Sequence, residues 1–360
     1  MRILLYSDVH ISRTSSILPT TYYNTNYTYR QGMLIKTAQW LSKLARDNKP
    51  DLIINLGDTF DQHTLTSYDI ETARKFFSEF TDVNIPHIVL VGNHEMINTD
   101  YNAVALLNNI NNITVVDKPW SVDYNVNGNI TKLAFLPYRH TKDILDFPKG
   151  DFLFSHNDIY GSKIRGDIRL ETGIQPNILQ QQYKLVFNGH IHKSSIEGNV
   201  VNVGSCTTHS FADDNDWQPH AYIFNTETMN LETFNNLSCP LFKNYNIETL
   251  DGLNNMLDSL DKRYSYILHI TCPFEIKDSV KAILVANRTI KTDTENEIDY
   301  ILNFKLNVKV TNNTKHKLEE TTQINKDIHT NLDIKKSFME FLNITDLKYP
   351  KQLYLDILQD

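Results

Sequence analysis

Cysteine is scarce in this chain of 360 residues, which has three: Cys206, Cys239 and Cys272, far apart and with no C-x-x-C pair. That number and spacing exclude a disulfide framework and a thiolate zinc site, and leave three structural thiols. Long apolar runs are missing too. The start, MRILLYSDVH, has only the short apolar run ILLY before Ser7 and Asp8, too little for the core of a secretory signal. No later run is long enough to span a bilayer, so a cytoplasmic chain with no membrane partner is expected. Positive charge is not in excess: 35 Lys and Arg stand against 43 Asp and Glu, a formal net charge of −8. That balance argues against gripping nucleic acid through the overall field. Nucleic acid stays open as a substrate, because divalent cations, a local basic strip or a basic partner can supply the positive charge. Repeats and low-complexity tracts are also absent.

What the chain does have is the composition of a protein that buries a core, with 41% hydrophobic and 22% charged residues. Its length predicts one large domain with one or two smaller pieces. Apolar runs that end in polar clusters alternate with helical patterns. ILLY (3–6) predicts a buried strand running into Ser7-Asp8-Val9-His10. MLIKTAQWLSKLA places Leu34, Ala38, Leu41 and Ala45 on one helical face, stopped by Asn48 and Pro50. DLIINL (51–56) is a second strand ending in Gly57-Asp58, and a helix over 68–80 leads to HIVLV (87–91), ending in Gly92-Asn93-His94. Such alternation predicts parallel β-α-β units, whose strand ends converge on a ligand crevice. Beyond them, VDYNVNGNITKLAFL is a hairpin turning at Asn127-Gly128. DFLFSH and KLVFNGH are runs ending in His156 and His190, and short strands continue to about residue 235. The predicted fold is a layered α/β domain, one sheet on each side of a buried core and helices outside.

After Pro240 this pattern stops. YSYILHIT and DYILNFKLNVKV around a helical KDSVKAILVAN predict a small α+β domain over 239–311. Residues 312–331 have almost no apolar periodicity and suit a linker. Over 332–360, Ile334, Phe338, Phe341 and Leu342, then Tyr354, Ile357 and Leu358, form amphipathic helical faces.

The polar residues at the strand ends are Asp8, His10, Asp58, Asn93, His94, His156, His190 and His192. Carboxylates, a carboxamide and imidazoles without thiolate suit manganese, iron or zinc in a catalytic rather than a structural site. A carboxylate can bridge two cations roughly 3.5–4 Å apart, and such a pair activates water and neutralises a phosphoryl group. A lone D-x-H is a common accident and a lone G-N-H only a turn. Five clusters in order, each directly after an apolar strand, make coincidence improbable.

The ordered set D-x-H (Asp8, His10), G-D-x-x-D (Gly57, Asp58, Asp61), G-N-H-E (Gly92 to Glu95), S-H (Ser155, His156) and G-H-x-H (Gly189 to His192) resembles the signature of the calcineurin-like metallophosphoesterases. The resemblance covers residues 1 to about 235, within a predicted phosphoesterase domain over 1–238, and implies a β-sandwich flanked by helices with a dinuclear metal centre. It implies that Asp8, His10 and His192 hold one ion and Asn93, His156 and His190 the other, with Asp58 bridging. His190 and His192 would then serve different ions. His94 would be the general acid, oriented by Asp61. The implied cofactor is a pair of divalent ions, Mn2+ first, with Mg2+, Fe2+ or Zn2+ as alternatives.

Within that superfamily, GDTFDQH lacks the arginine of the phosphoprotein phosphatase motif G-D-x-x-D-R-G. The order of phosphoesterase domain, small capping domain, polar linker and terminal helices is similar to SbcD-type nuclease subunits of double-strand-break repair. VVDKPWSV, GDTFD, GNVVNVGS and ADDNDWQPHAYIFNTET look most like the bacteriophage recombination endonucleases. This implies an exonuclease and endonuclease acting on DNA in the host cytoplasm. It would be a homodimer within a heterotetramer, and its C-terminal stripe would grasp an SbcC-like coiled-coil ATPase. The stripe equally suits packing on the chain's own domain. Arg13, Tyr22, Tyr23, Tyr27 and Arg30, in the long loop after the first motif, are candidate DNA contacts, although loop tyrosines more often pack on the surface. The alternatives are a metallophosphatase or cyclic-nucleotide phosphodiesterase on small substrates and, from another class, a non-catalytic DNA-tethering scaffold.

Overall fold

The computed structural model of the chain describes residues 1–12, 27–98, 101–126, 128–139, 147–165, 168–208, 217–287, 290–292 and 299–309. The first half runs β1 (Arg2–Tyr6), α1 (Tyr29–Asn48), β2 (Leu52–Asn55), α2 (Ser67–Ser78) and β3 (His87–Leu90). A 3-10 helix (Ala103–Asn109), β4 (Ile113–Val116), β5 (Trp120–Val126) and β6 (Asn129–Leu136) follow. Then come β7 (Phe152–Ser155), β8 (Lys163–Arg165), β9 (Ile168–Arg169), α3 (Pro176–Gln182), β10 (Leu185–Asn188), β11 (Ser195–Glu197), β12 (Val200–Asn202), β13 (His220–Asn225) and β14 (Leu231–Asn235).

Two six-stranded sheets result, ordered β14-β13-β1-β2-β3-β4 and β11-β12-β10-β7-β6-β5. β1 to β4 run parallel, as do β6, β7, β10 and β12. The hairpin expected around residues 127 and 128 is formed by β5 and β6, with Val126 opposite Asn129. Ile3, Leu5, Leu52, Ile54, Ile88 and Leu90 face Leu133, Phe135, Phe152, Phe154, Phe187 and Val201 across the sandwich. On the reverse face of the first sheet, Leu4, Tyr6, Ile53 and Val89 lie under Leu34, Ala38, Leu41, Phe76 and Phe77 of the helices. Strands buried on both faces need apolar residues at every position, which is why they read as continuous runs. Each large side chain so buried stabilises the fold by about 1.5–3 kcal/mol.

Helix α1 begins at a capping box: the Thr28 hydroxyl accepts from the Gln31 N–H, and Gln31 Oε1 accepts from the Thr28 N–H. It ends at Lys49, left-handed at φ 46°, whose N–H donates to the Ala45 carbonyl before Pro50. The architecture is the mixed α/β sandwich, sheets flanked by helices, that the sequence predicts. All three cysteines are free and buried. Among the described residues no helix is long and apolar enough to cross a membrane.

A third sheet comprises β15 (Leu241–Asn246), β16 (Tyr266–Pro273), β17 (Ile290–Thr292) and β18 (Asp299–Lys309), ordered β15-β16-β18-β17. With α4 (Leu250–Ser259) and α5 (Lys277–Ala286) it has its own core, including Leu253, Met256, Leu268, Ile270, Val280 and Leu284. β16, α5 and β18 match the sequence reading, whereas β15, β17 and α4 are additional. The expected linker and the stripe Ile334, Phe338, Phe341, Leu342, Tyr354, Ile357 and Leu358 lie outside the described residues.

Candidate metal centre

Parallel pairing brings the C-terminal ends of β1, β2 and β3 to one edge, and the loops that follow them are laced together. Asp8 N–H donates to the Gly57 carbonyl (3.1 Å), His10 N–H to that of Asp58 (3.0 Å) and Ile11 N–H to that of Thr59 (2.7 Å). From the second sheet, the Gly189 N–H donates to the Ser155 carbonyl (2.9 Å), setting the loops after β7 and β10 side by side. Asp8, His10, Asp58 and His190 have φ between 48° and 71°, half of the eight non-glycine residues with positive φ among those described. Left-handed backbone in such residues costs about 1–3 kcal/mol each and concentrates where geometry serves function.

Three overlapping groups of potential ligands result: Asp8, His10 and His192; His10, Asp58 and His94; Asp58, His156 and His190. In each, one donor atom per residue lies within 4.8 Å of the others. Asp58 Oδ2 is the hub, 3.2 Å from His156 Nε2, 3.7 Å from His10 Nε2 and 3.9 Å from His94 Nε2. Asn93 Oδ1 joins the third group, 3.2 Å from His156 Nε2 and 2.8 Å from His190 Nδ1. The sequence-predicted ligands therefore come together, all seven within this cluster.

The donor chemistry fits cations. His156 Nδ1 faces the Leu56 carbonyl at 2.7 Å and must donate to it, so in the neutral ring Nε2 is a lone pair. That lone pair faces the acceptors Asp58 Oδ2 and Asn93 Oδ1, a repulsive meeting unless positive charge sits there. Burial lowers the affinity of His156 for a proton, yet the Asp58 charge outweighs it and pushes the ring up to about 9. Burial likewise works against Asp58 ionising, but His156 and the other imidazoles hold its carboxyl well below the usual range. Burial holds His10 below its ordinary value, keeping the ring neutral as a ligand must be. Gly92 is needed for this approach: a Cβ there would lie 2.1 Å from Asp58 Oδ1 and 2.4 Å from Asp58 N.

His94 lies at the mouth, its side chain 40% exposed. Its orientation differs from expectation. The Asp61 main-chain carbonyl, not the carboxylate, sits 2.7 Å from His94 Nδ1, while the Asp61 carboxylate lies 3.3 Å from His10 Nδ1. Asp58 Oδ1 accepts the His94 N–H at 3.1 Å, fixing the loop.

Two candidate DNA contacts also require correction. Arg30 is 3% exposed, and its guanidinium donates to the carbonyls of Val9 (2.9 Å), His10 (2.9 Å) and Thr208 (2.8 Å). It ties the loop after β1 to the segment before 209 and points inward. Tyr27 is half-buried against α2, with the Lys75 ammonium 4.1 Å from its ring centre and in contact with its hydroxyl. Arg13, Tyr22 and Tyr23 lie outside the described residues.

Three residues were missed by sequence reasoning. Glu95, fully buried, accepts the N–H of Phe60 (2.9 Å) and of Gly92 (2.7 Å), stapling the second loop to the third. Burial and the nearby Asp58 push its carboxyl up to about 8. Its place in G-N-H-E was the available signal. Asn188 accepts from the Ser155 hydroxyl (2.5 Å) and Asn157 N–H (3.0 Å), holding the ends of β7 and β10 together. Asp158 Oδ1 lies 2.9 Å from His190 Nε2, across 32 residues of sequence.

Exonuclease subunit 1 of Enterobacteria phage T4 is 29% identical over 188 residues, 50% of this chain and 54% of that protein, so the match spans about half the length of that relative. Among solved structures, TT1561 of Thermus thermophilus is 14% identical with a TM-score of 0.41, covering 65% of this chain and 98% of the other. Pseudomonas putida nuclease MPE is 17% identical with a TM-score of 0.29, covering 61% and 84%. Residues 1–194 match the family described as calcineurin-like phosphoesterase, a span that holds every residue of the metal cluster from Asp8 to His192. With more than half of its length matched, the chain belongs to the calcineurin-like phosphoesterase family.

Proposed function

We propose that this chain is a metal-dependent DNA nuclease, an exonuclease and endonuclease subunit of an SbcCD-like complex that processes double-strand ends in recombination. The observation that carries the reading is the set of three overlapping donor groups sharing His10 and Asp58 at the joined strand ends. In it, Asp8, His10 and His192 would hold one divalent ion and Asn93, His156 and His190 the other, with the Asp58 carboxylate lying between the two sets. When bound, two such ions, Mn2+ by preference, would supply polarisation of the phosphoryl group and activation of water. The residues supply the rest. The buried carboxylates and the imidazoles around them set the donor positions, and Glu95 and Arg30 keep the loops from moving. The Asp61 carbonyl holds a proton on His94 Nδ1, so a second proton, taken up at Nε2, is the one delivered to the departing sugar oxygen.

DNA as substrate is supported by the relative named as a phage exonuclease subunit. The absence of a phosphatase-type arginine after Asp61 points the same way, since Gln62 stands there. The net charge of −8 and the inward-facing Arg30 favour a partner that supplies much of the DNA grip. An SbcC-like coiled-coil ATPase fits, bound through 332–360, with 239–311 as a cap, 312–331 as a linker and a homodimer of this chain within the heterotetramer. The test is hydrolysis by the purified protein with Mn2+ of linear duplex, single strands, a chromogenic bis-ester and the matching mono-ester. DNA and bis-ester cleavage are expected. A mono-ester preference without DNA degradation overturns the reading in favour of a phosphatase.

A further inference from the structure

We infer that Asp158 is a positioning residue that fixes the tautomer of His190, so that Nδ1 is the nitrogen this ring presents to the metal pair. The inference rests on the metal-centre reading above and adds a residue outside the three donor groups.

The His190 ring is contacted at both nitrogens, Nδ1 by Asn93 Oδ1 (2.8 Å) and Nε2 by Asp158 Oδ1 (2.9 Å). An ionised carboxylate only accepts, so the proton belongs on Nε2, and the Nδ1 lone pair turns inward. His156 is pinned the opposite way: the Leu56 carbonyl holds its Nδ1 proton and its Nε2 faces Asp58. Two histidines thus direct different ring nitrogens at one centre, each selected by an acceptor on the far edge. An outer acceptor of this kind both chooses the tautomer and raises the basicity of the ligating nitrogen.

Asp158 is held in place by its backbone. Its carbonyl accepts the Ile174 N–H at 2.8 Å, and Ile159 and Ile174, each 2% exposed, form a bridge beside it. Gly173, at φ 121°, passes so close that a Cβ would lie 2.5 Å from the Asp158 oxygen and 2.6 Å from its carbonyl carbon. The 173–174 segment therefore clamps the residue at the edge of the His190 ring. About a third of the Asp158 side chain is exposed.

The test uses full-length protein labelled with 15N-histidine and long-range 1H–15N correlation without metal. The wild type is expected to show His190 as the Nε2–H tautomer. Asp158→Ala should convert it to a mixture and leave His156 unchanged. In a calorimetric titration with Mn2+, Asp158→Ala should weaken one of two sites about 10–100-fold and leave the other within about twofold. Asp158→Asn, isosteric and still able to accept through Oδ1, should lose less and guards against a folding defect. A wild-type Nδ1–H tautomer, unchanged tautomer and affinities in Asp158→Ala, or equal loss at both sites in Asp158→Asn overturns the inference. None of these readouts needs DNA. Failure of the wild type to cleave DNA would therefore remove the nuclease reading and leave this one standing.

Discussion

Arg30→Met separates two accounts of the only candidate cationic DNA contact among the described residues. The guanidinium makes three main-chain contacts, to Val9, His10 and Thr208, at 2.8–2.9 Å in a site 3% exposed. Hydrogen bonds to a charged group each contribute about 1.5–3 kcal/mol, and a buried carbonyl left without a donor costs about 1–3 kcal/mol. The three contacts share one side chain whose own burial offsets part of the gain, so their sum is not additive. Removing them should destabilise the protein by about 3–5 kcal/mol. Methionine keeps the apolar stem, so the loss reports the guanidinium. The assay is urea unfolding by circular dichroism at neutral pH and moderate salt, alongside Mn2+ calorimetry on the folded variant. Because the carbonyls of Val9 and His10 belong to the first metal loop, weaker Mn2+ binding should accompany the lower unfolding midpoint. Arg30→Lys should recover only part of either, since one ammonium cannot span three carbonyls in that geometry. A DNA-contact role predicts the reverse: unchanged stability and metal affinity with weaker, more salt-sensitive DNA binding. Stability within about 1 kcal/mol of wild type would refute the stapling argument.

Other perturbations have equally definite outcomes. Gly92→Ala forces a Cβ to within 2.1 Å of Asp58 Oδ1, so Mn2+ affinity should fall at least about tenfold with the sandwich still folded, read by calorimetry and circular dichroism. His94→Ala should keep both ions and lose about 10²–10⁴-fold in turnover on duplex DNA; loss of metal binding would move His94 from acid to ligand. His87, buried beside the Tyr6 hydroxyl at 2.9 Å, is lowered by burial to about 3 from an ordinary 6.5. Below about 6.5 the unfolded chain therefore binds a proton that the folded chain refuses, and stability should fall by up to about 1.4 kcal/mol per pH unit until the folded value is reached. His87→Gln should flatten that part of the acid slope, measured as urea stability at pH 7 and pH 5.

The five loops that carry the candidate ligands were legible because strands buried on both faces lose alternation and end abruptly in polar residues. Asp8, Asp58 and His190 each follow an apolar run of three or four residues (ILLY, LII and LVF) within about four positions. Elsewhere the signal was local and the answer was not. Arg30 reads as a surface residue of a Tyr-rich loop. Thr28 and Gln31 instead start a helix there, and the first turn points the guanidinium inward. Asp61 carries a carboxylate and a carbonyl, and spacing alone does not say which one reaches His94. Asp158 acts on a residue 32 positions away through pairing of β7 and β10, which no short motif encodes. In α4, Leu250, Leu253, Met256 and Leu257 have helical spacing, but the helix is only 10 residues long, interleaved with Asn and Asp, and its apolar face needs the third sheet to cover it.

Anomalous diffraction at the manganese edge, from crystals of this chain equilibrated with Mn2+, tests the dinuclear centre most directly. Two peaks are predicted, one contacted by Asp8, His10 and His192 and the other by Asn93, His156 and His190, with Asp58 touching both. A single peak, or two peaks without Asp58 between them, would contradict it.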